Sequence, residues 1–159
     1  MQRITVLCVG KLKEKFYADA AAEYIKRLSR YCKLDVVELP ETRLPEDPSP
    51  AEIQKALAAE ANAIRQKLEA GAVVAMCIEG KTCSSEALSK KLADFALEGK
   101  SRVTFLIGGS FGLDETLKKQ ADWRLSMSPM TLPHHLARVM LLEQIYRACQ
   151  IAEGTRYHK

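Results

Sequence analysis

The chain has 159 residues, of which 47% are hydrophobic and 28% are charged, and its formal net charge is +4 at pH 7. This length and balance suit one globular domain with a sizeable core, and they argue against a disordered or fibrous chain. The five cysteines are odd in number and lack CxxC spacing, which argues against a disulfide framework or a zinc site and indicates reduced cytoplasmic thiols. No apolar stretch has the length of a membrane span and no leader segment is expected, so we expect no membrane contact.

Charge is unevenly distributed over the first half of the chain. Residues 11–33 carry seven Lys or Arg against three acids, whereas residues 35–69 carry eight acids against four bases. A basic patch beside an acidic stretch is compatible with a nucleic-acid-binding face. The same pattern is more often an ordinary solvated helix surface, so charge alone leaves RNA binding open.

Short apolar strands alternate with helical segments throughout. The predicted order is strand 4–9, helix 13–30, strand 34–39, helix 50–70, strand 72–78, helix 85–98, strand 102–107, helix 114–120, strand 123–126 and helix 134–152. Ser49, Pro50 and Glu52 form a capping box with a first-turn proline, and Gly71 ends that helix. The alternation predicts an α/β fold, a single domain over residues 1–159 with a mainly parallel sheet and helices on both faces.

Three segments that follow strands are suited to close approach of the backbone to a ligand: 76–81, 108–112 and 127–132. Ligands in parallel sheets bind at the carboxyl ends of strands, near a change in strand order. The glycines of 108–112 match neither the dinucleotide fingerprint nor a P-loop. A tight strand-to-helix turn is the simpler interpretation of them, and a phosphate cradle stays open.

The last predicted helix, 134–152, carries only three formal charges, on Arg138, Glu143 and Arg147. A helix that is apolar on nearly every face needs cover on nearly every face, which predicts a partner subunit against one side. Glu143 and Arg147 are spaced i,i+4. They form either an ordinary surface pair worth a few tenths of a kcal/mol or a polar site in a buried wall, and both interpretations stay open.

Three long segments carry a resemblance to a known family: ITVLCVGKLKEKFY at 4–17, FLIGGSFGL at 105–113, and TLPHHLARVMLLEQIYRA at 131–148 with a final YHK. From end to end the chain resembles the RlmH-type large-subunit (23S) ribosomal RNA pseudouridine N3-methyltransferases of the SPOUT, or α/β-knot, class. The resemblance implies a C-terminal trefoil knot, which no periodicity reveals and which general topology disfavours. It also implies S-adenosylmethionine (SAM) as methyl donor, no metal, a homodimer and a cytoplasmic ribosomal RNA substrate.

The resemblance places SAM against the three segments that follow strands. The implied contacts are Met76, Gly108, Met127, Ser128, Pro129, Met130, Thr131 and Leu132. An apolar slot edged by backbone N–H and C=O groups suits an adenine ring. The chain departs from the family pattern at Phe111, where Asp or Asn is common, and at Cys77, where an acid is common. If that acid touches the ribose, Cys77 weakens the contact.

The implied reaction sets the roles of the remaining candidates. N3 of a pseudouridine is an imide N–H, so methylation needs in-line positioning and a group that accepts the proton or stabilises the anion. We expect Arg147 to stabilise charge, Tyr157 and His158 to orient the base, and His158 to be the better proton acceptor. We assign Arg138 and Lys159 to RNA phosphate. On pattern alone the final tripeptide would be disordered; the resemblance makes it part of the site.

Two other functions stay open. A non-catalytic RNA-binding ribosome assembly factor of the same fold would lack SAM binding. A Rossmann-type nucleotide enzyme is disfavoured, because the glycine fingerprint is missing near Gly10 and Leu39–Pro40 stands where an acid is needed. A chain with a net charge of +4 has little area for reading a long RNA by itself, which fits a substrate presented by the assembled ribosome.

Overall fold

A computed structural model describes residues 1–159 and confirms the predicted alternation of strands and helices. The strands are β1 (Arg3–Val9), β2 (Lys33–Leu39), β3 (Ala72–Lys81), β4 (Arg102–Ile107) and β5 (Trp123–Leu125). The helices are α1 (Lys15–Leu28), α2 (Pro50–Lys67), α3 (Ser85–Leu97), α4 (Glu115–Gln120) and α5 (His134–Ala152). The main difference lies in β3, which continues through the segment 79–81 that the sequence predicts to be a turn. There β3 resumes pairing with β5 after a register shift between Met76 and Lys81.

All strand pairs are parallel, and the order across the sheet is β2–β1–β4–β3–β5. The strand order switches between β1 and β4: the chain leaves β1 towards β2 on one side and leaves β4 towards β5 on the other. In parallel α/β sheets the crevice outside such a switch is the usual place for a ligand. The loops that begin at Gly10 and Gly108 border this crevice, and the loop after Gly108 also borders the carboxyl ends of β3 and β5.

The sheet carries one core cluster on each face, so the prediction of helices on both faces is confirmed. On one face Val6 and Phe105 pack in a cluster with Leu141 of α5 and with residues of α1 and α3. On the other face Leu7 packs in a cluster with Ile64 of α2 and with residues of α4. Neighbouring residues of one strand serve opposite faces because strand side chains alternate in direction.

α5 packs between α1 and α3 on one face of the sheet. Only Met140 and Ala152 within it are exposed. Most of the cover that its apolar sequence demands therefore comes from the same chain, and its burial does not by itself require a second subunit. No helix here, α5 included, combines the length and hydropathy that crossing a bilayer requires. The trefoil knot stays a prediction.

Candidate active site

The main cleft opens at the carboxyl ends of β3, β4 and β5 and has a volume of about 720 Å³. Its walls are the end of β3, the glycine-rich loop after β4 and the loop between β5 and α5. This volume lies within the range of cofactor sites, roughly 300–1,000 Å³. The three segments that the sequence singles out for close backbone approach thus face one space.

Seven of the eight residues expected around a cofactor line the main cleft. They are Met76, Gly108, Met127, Ser128, Met130, Thr131 and Leu132. Pro129 belongs to the same loop but is not one of the lining residues. The parallel sheet brings these residues together because it places the carboxyl ends of β3, β4 and β5 at one edge.

The glycine-rich loop is a tight turn whose backbone forms a wall of the main cleft. A Cβ on Gly108 would lie 2.2 Å from the carbonyl oxygen of Gly112, so no side chain fits there. The Gly112 N–H donates to the Gly109 carbonyl at 3.1 Å, and Gly112 itself has φ +80°. The Ser110 N–H donates to Glu41 Oε1 at 2.8 Å. The tight-turn interpretation is confirmed, and the turn brings bare backbone to the cleft; the phosphate cradle stays a prediction.

The loop after β5 is held by its own serines. The Ser126 hydroxyl donates to the Ser128 carbonyl at 2.9 Å and accepts from the Ser128 N–H at 3.2 Å. The Ser128 hydroxyl accepts from the Met130 N–H at 2.9 Å. Such local side-chain bonds fix the backbone without regular secondary structure. The loop therefore presents apolar side chains from a defined backbone.

Two charged residues of the main cleft were missed from the sequence. The extension of β3 carries Glu79 into the cleft wall, where its carboxylate pairs with Lys118 of α4. The Lys118 hydrogen bond lowers the pKa of Glu79, whereas burial raises the pKa of the nearby Cys77 thiol. The cleft thus keeps an ionised carboxylate two residues beyond Cys77. The signal in the sequence is Glu79 itself, an acid directly after the apolar strand, but the sequence predicts a turn at 79–81.

Arg147, Tyr157 and His158 come together at the far end of α5 around Glu143, and we call these four residues the tail cluster. Glu143 Oε1 accepts from Arg147 Nε at 3.0 Å, from Arg147 Nη2 at 2.6 Å and from the Tyr157 hydroxyl at 3.1 Å. The guanidinium carbon lies 4.8 Å from the centre of the Tyr157 ring. The side chains of Glu143 and Arg147 are only 17% and 26% exposed. This favours the polar-site interpretation over a surface pair.

Both ring nitrogens of His158 have partners. Nδ1 lies 3.3 Å from Arg147 Nη1, and Nε2 lies 2.7 Å from Glu86 Oε1 in the first turn of α3. A guanidinium can only donate, so these contacts favour the tautomer in which Nδ1 accepts and Nε2 carries the proton that is donated to Glu86. That hydrogen bond lowers the pKa of the Glu86 carboxyl. Sequence reasoning missed Glu86 because it lies 72 residues from His158.

We expect Glu86→Ala to loosen His158 and to mix its tautomers, because the acceptor for Nε2–H is gone. Long-range ¹H–¹⁵N spectra should show one Nε2–H tautomer in the unmodified chain and added Nδ1–H signal in the variant. The chain has only three histidines, so a His158→Gln variant suffices for assignment. His134 and His135 are internal controls whose signals should stay in place. A His158 spectrum unchanged by Glu86→Ala would show that Glu86 does not position the ring.

Arg138 is not placed to contact RNA. Its side chain is 3% exposed; Nη1 donates to Glu38 Oε2 at 2.6 Å and Nη2 donates to the Gly10 carbonyl at 3.0 Å. These bonds fasten α5 to the carboxyl ends of β1 and β2. This geometry corrects the expected phosphate contact, because the guanidinium is buried and already engaged. Lys159 is exposed and forms no salt bridge, so its phosphate role stays a prediction.

The tail cluster and the main cleft lie towards opposite ends of α5. Ala137 lines the cleft, whereas Arg147 lies ten residues further on, about 15 Å along the helix axis. Within one chain the residues expected to bind the cofactor and those expected to assist the reaction therefore do not meet. No group of three or more His, Cys, Asp or Glu side chains is placed to hold a metal ion.

Fold and cleft together define the class. The family described as "Predicted SPOUT methyltransferase" matches residues 2–158. The chain therefore belongs to the SPOUT methyltransferase family, which confirms the resemblance seen in the three sequence segments.

Relatives within this family cover nearly the whole chain. It is 48% identical over 157 residues to the putative ribosomal RNA large subunit methyltransferase H of Methanococcus maripaludis strain C5, covering 98% of this chain and 99% of the relative. It is 47% identical over 158 residues to the ribosomal RNA large subunit methyltransferase H of Streptococcus suis strain 05ZYH33, covering 99% of each.

The fold is also similar to solved structures of low sequence identity. A probable methyltransferase from Bordetella pertussis Tohama I superposes with a TM-score of 0.59 at 14% identity, over 93% of this chain and 95% of that one. A probable methylase family protein from Haemophilus influenzae Rd KW20 gives 0.55 at 14%, over 96% and 67%. At such identities the likeness is one of fold alone.

Proposed function

We propose that the chain is a cytoplasmic, SAM-dependent methyltransferase that methylates N3 of a pseudouridine in 23S ribosomal RNA, on assembled ribosomes. The observation that carries this proposal is the main cleft of a SPOUT fold, formed by the segments that the sequence singles out. The names of the two relatives, both ribosomal RNA large subunit methyltransferases, support an RNA substrate. The pseudouridine and its N3 rest on the family resemblance.

The residues of the main cleft fit SAM. Met76 and Leu132 offer apolar surface for an adenine ring, and the serine-fixed loop offers backbone groups to its edge. A Cβ at Gly108 would clash with the Gly112 backbone of the same loop, so the loop that forms this wall carries no side chain at Gly108. When bound, SAM supplies an electrophilic methyl group on a sulfonium. The proposed transfer uses no metal.

The tail cluster supplies the groups that the pseudouridine needs. Arg147 stabilises the negative charge that develops as N3 loses its proton. Tyr157 and His158 orient the base, and the exposed Lys159 contacts a neighbouring phosphate. His158 accepts the proton at Nδ1, where the arriving imide N–H replaces the 3.3 Å contact with Arg147. Glu86 keeps the other ring nitrogen protonated meanwhile.

We further propose a homodimer in which the tail cluster of one subunit completes the main cleft of the other. The support is that no residue of the tail cluster lines the main cleft of its own chain, and that Arg147 lies about 15 Å along α5 from Ala137. Exposed apolar side chains remain for such a contact, among them Met130 beside the cleft and Met140 on α5. Each main cleft would then receive the tail cluster of the other subunit.

Isothermal titration of SAM into the pure protein, with its mass in solution determined alongside, tests the proposal first. We expect saturable binding to a dimer. Incubation with unmodified ribosomes and SAM should then add one methyl group to a 23S pseudouridine, read by mass spectrometry of the digested RNA. A well-folded protein that binds ribosomes but not SAM would instead be the non-catalytic assembly factor.

A further inference from the structure

A second cleft of about 640 Å³ adjoins the main cleft and serves none of the roles above. It lies between the loops after β1 and β2, the glycine-rich loop after β4 and the start of α5, beside the strand-order switch. Ser110, Phe111 and His134 line both clefts and so form a shared wall. A molecule in the second cleft would lie directly beside one in the main cleft.

Three cations line the second cleft without an ion-pair partner. Lys11 and Lys13 come from the loop after β1, and Arg43 comes from the loop after β2. All three are exposed, and none forms a salt bridge, whereas nearby Lys15 pairs with Asp19 at 2.7 Å. Their charges are therefore available to an anion.

The second cleft also carries three carboxylates, but two of them are already engaged. Glu41 accepts from the Ser110 N–H at 2.8 Å, and Glu60 accepts from the Thr42 N–H at 2.8 Å. Burial also raises the pKa of Glu60. Glu41 and Glu46 are both exposed, and only Glu46 has no hydrogen-bond partner. Three cations without an ion-pair partner thus line a cleft in which only Glu46, of the three carboxylates, lacks a hydrogen-bond partner.

The phenyl ring of Phe111 forms part of the shared wall. Phe111 keeps 49% of its surface exposed, although it borders both clefts. Exposed rings beside cations are typical of single-stranded nucleic-acid sites, where bases stack on the ring and the cations contact phosphates. A phosphate-rich chain with flat bases uses both features of the second cleft, whereas an acidic peptide uses only its charge.

We propose that the second cleft binds single-stranded RNA next to the methylated nucleotide, with phosphates on Lys11, Lys13 and Arg43 and a flanking base on Phe111. The inference rests on the proposed function in one respect. It takes the main cleft as the place of the reacting base, so that the neighbouring nucleotides cross the shared wall. RNA binding itself requires neither SAM nor turnover, which allows a separate test.

The test compares two double variants of the full-length protein. Lys11→Ala/Lys13→Ala removes two cations from the second cleft. The control Lys33→Ala/Lys67→Ala removes the same net charge from exposed, unpaired lysines at the amino edge of the sheet. Binding of a fluorescein-labelled single-stranded oligouridine is measured by anisotropy over a range of salt concentrations, and KM for ribosomes is measured in parallel.

We expect the second-cleft variant to weaken RNA binding about tenfold at low salt and to raise KM for ribosomes. For two lost phosphate contacts, the slope of log K against log salt should fall by about 1.4, since each contact on a single strand contributes roughly 0.7. The control Lys33→Ala/Lys67→Ala should bind oligouridine with the same affinity and salt dependence as the unmodified chain. Glu46→Gln should tighten oligouridine binding. SAM affinity should stay the same in all of them.

Equal weakening by the two double variants would overturn the inference, because net charge alone would then explain binding. Oligouridine binding that does not change in Lys11→Ala/Lys13→Ala would also overturn it, even if KM for ribosomes rose, since the cleft would then contact a ribosomal protein. Failure of the proposed function would give a different combination of RNA binding and methylation. In that case RNA binding would respond as described, but no methyl group would appear on 23S RNA.

Discussion

Replacing Arg147 with alanine is expected to lower the rate of methyl transfer by about 10²–10³-fold, the loss typical for one group that stabilises developing charge in a dry site. Arg147 joins the tail cluster through Glu143, Tyr157 and His158, so its removal takes away both the positive charge and the contact that orients His158. Single-turnover methylation of ribosomes at saturating SAM measures the effect. SAM affinity should change little, because the residues that line the main cleft stay in place.

Two variants sharpen this experiment. Arg147→Lys keeps the charge but loses the planar fork, so we expect it to recover only part of the rate. Lys90→Ala breaks another i,i+4 pair, with Asp94 on the exposed face of α3, and should leave the rate unchanged. Normal turnover by Arg147→Ala would remove Arg147 from the mechanism.

Replacing Gly108 with alanine is expected to weaken SAM binding by tenfold or more and to destabilise the fold by about 1–3 kcal/mol. The new Cβ would lie 2.2 Å from the Gly112 carbonyl oxygen, and both groups belong to a backbone turn that cannot rotate away. The turn must open, and it forms a wall of the main cleft. Isothermal titration of SAM and thermal unfolding measure the two effects.

Gly99→Ala provides the matched control for backbone strain. Gly99 has φ +81°, and no heavy atom lies within 4 Å of the position that a Cβ would take. Alanine at this position lowers the free energy of unfolding only because its Cβ disfavours the left-handed backbone conformation, by about 1–2 kcal/mol. This variant should lose stability and keep its SAM affinity. If Gly108→Ala bound SAM as tightly as Gly99→Ala, the glycine-rich loop would not contact the cofactor.

Local patterns predict most of the fold because each depends on neighbours in the sequence. The capping box at Ser49 is present as predicted: its hydroxyl accepts from the Glu52 N–H, and the Glu52 carboxylate accepts from the Ser49 N–H. The end of β3 is different. Glu79–Lys81 looks like a turn in isolation and becomes strand because β5, more than forty residues later, supplies the pairing at Leu125.

The same difference between local and long-range contacts explains which site residues can be predicted from the sequence. Glu143 and Arg147 are visible as an i,i+4 pair, and the segments that form the main cleft follow predicted strands. Arg138 was misassigned to phosphate because its partner, Glu38, lies 100 residues away. Glu86 was missed for the same reason. Long-range polar partners leave no periodic trace in a sequence, so only the folded chain shows which charges are already neutralised.

Because α5 reaches from the main cleft to the tail cluster, each helix of the proposed dimer serves two reaction centres, one at each end. A chain altered at Gly108 still offers a sound tail cluster, and a chain altered at Arg147 still offers a sound cleft. Mixed together, two impaired proteins would restore one working centre per heterodimer, so each defect would complement the other.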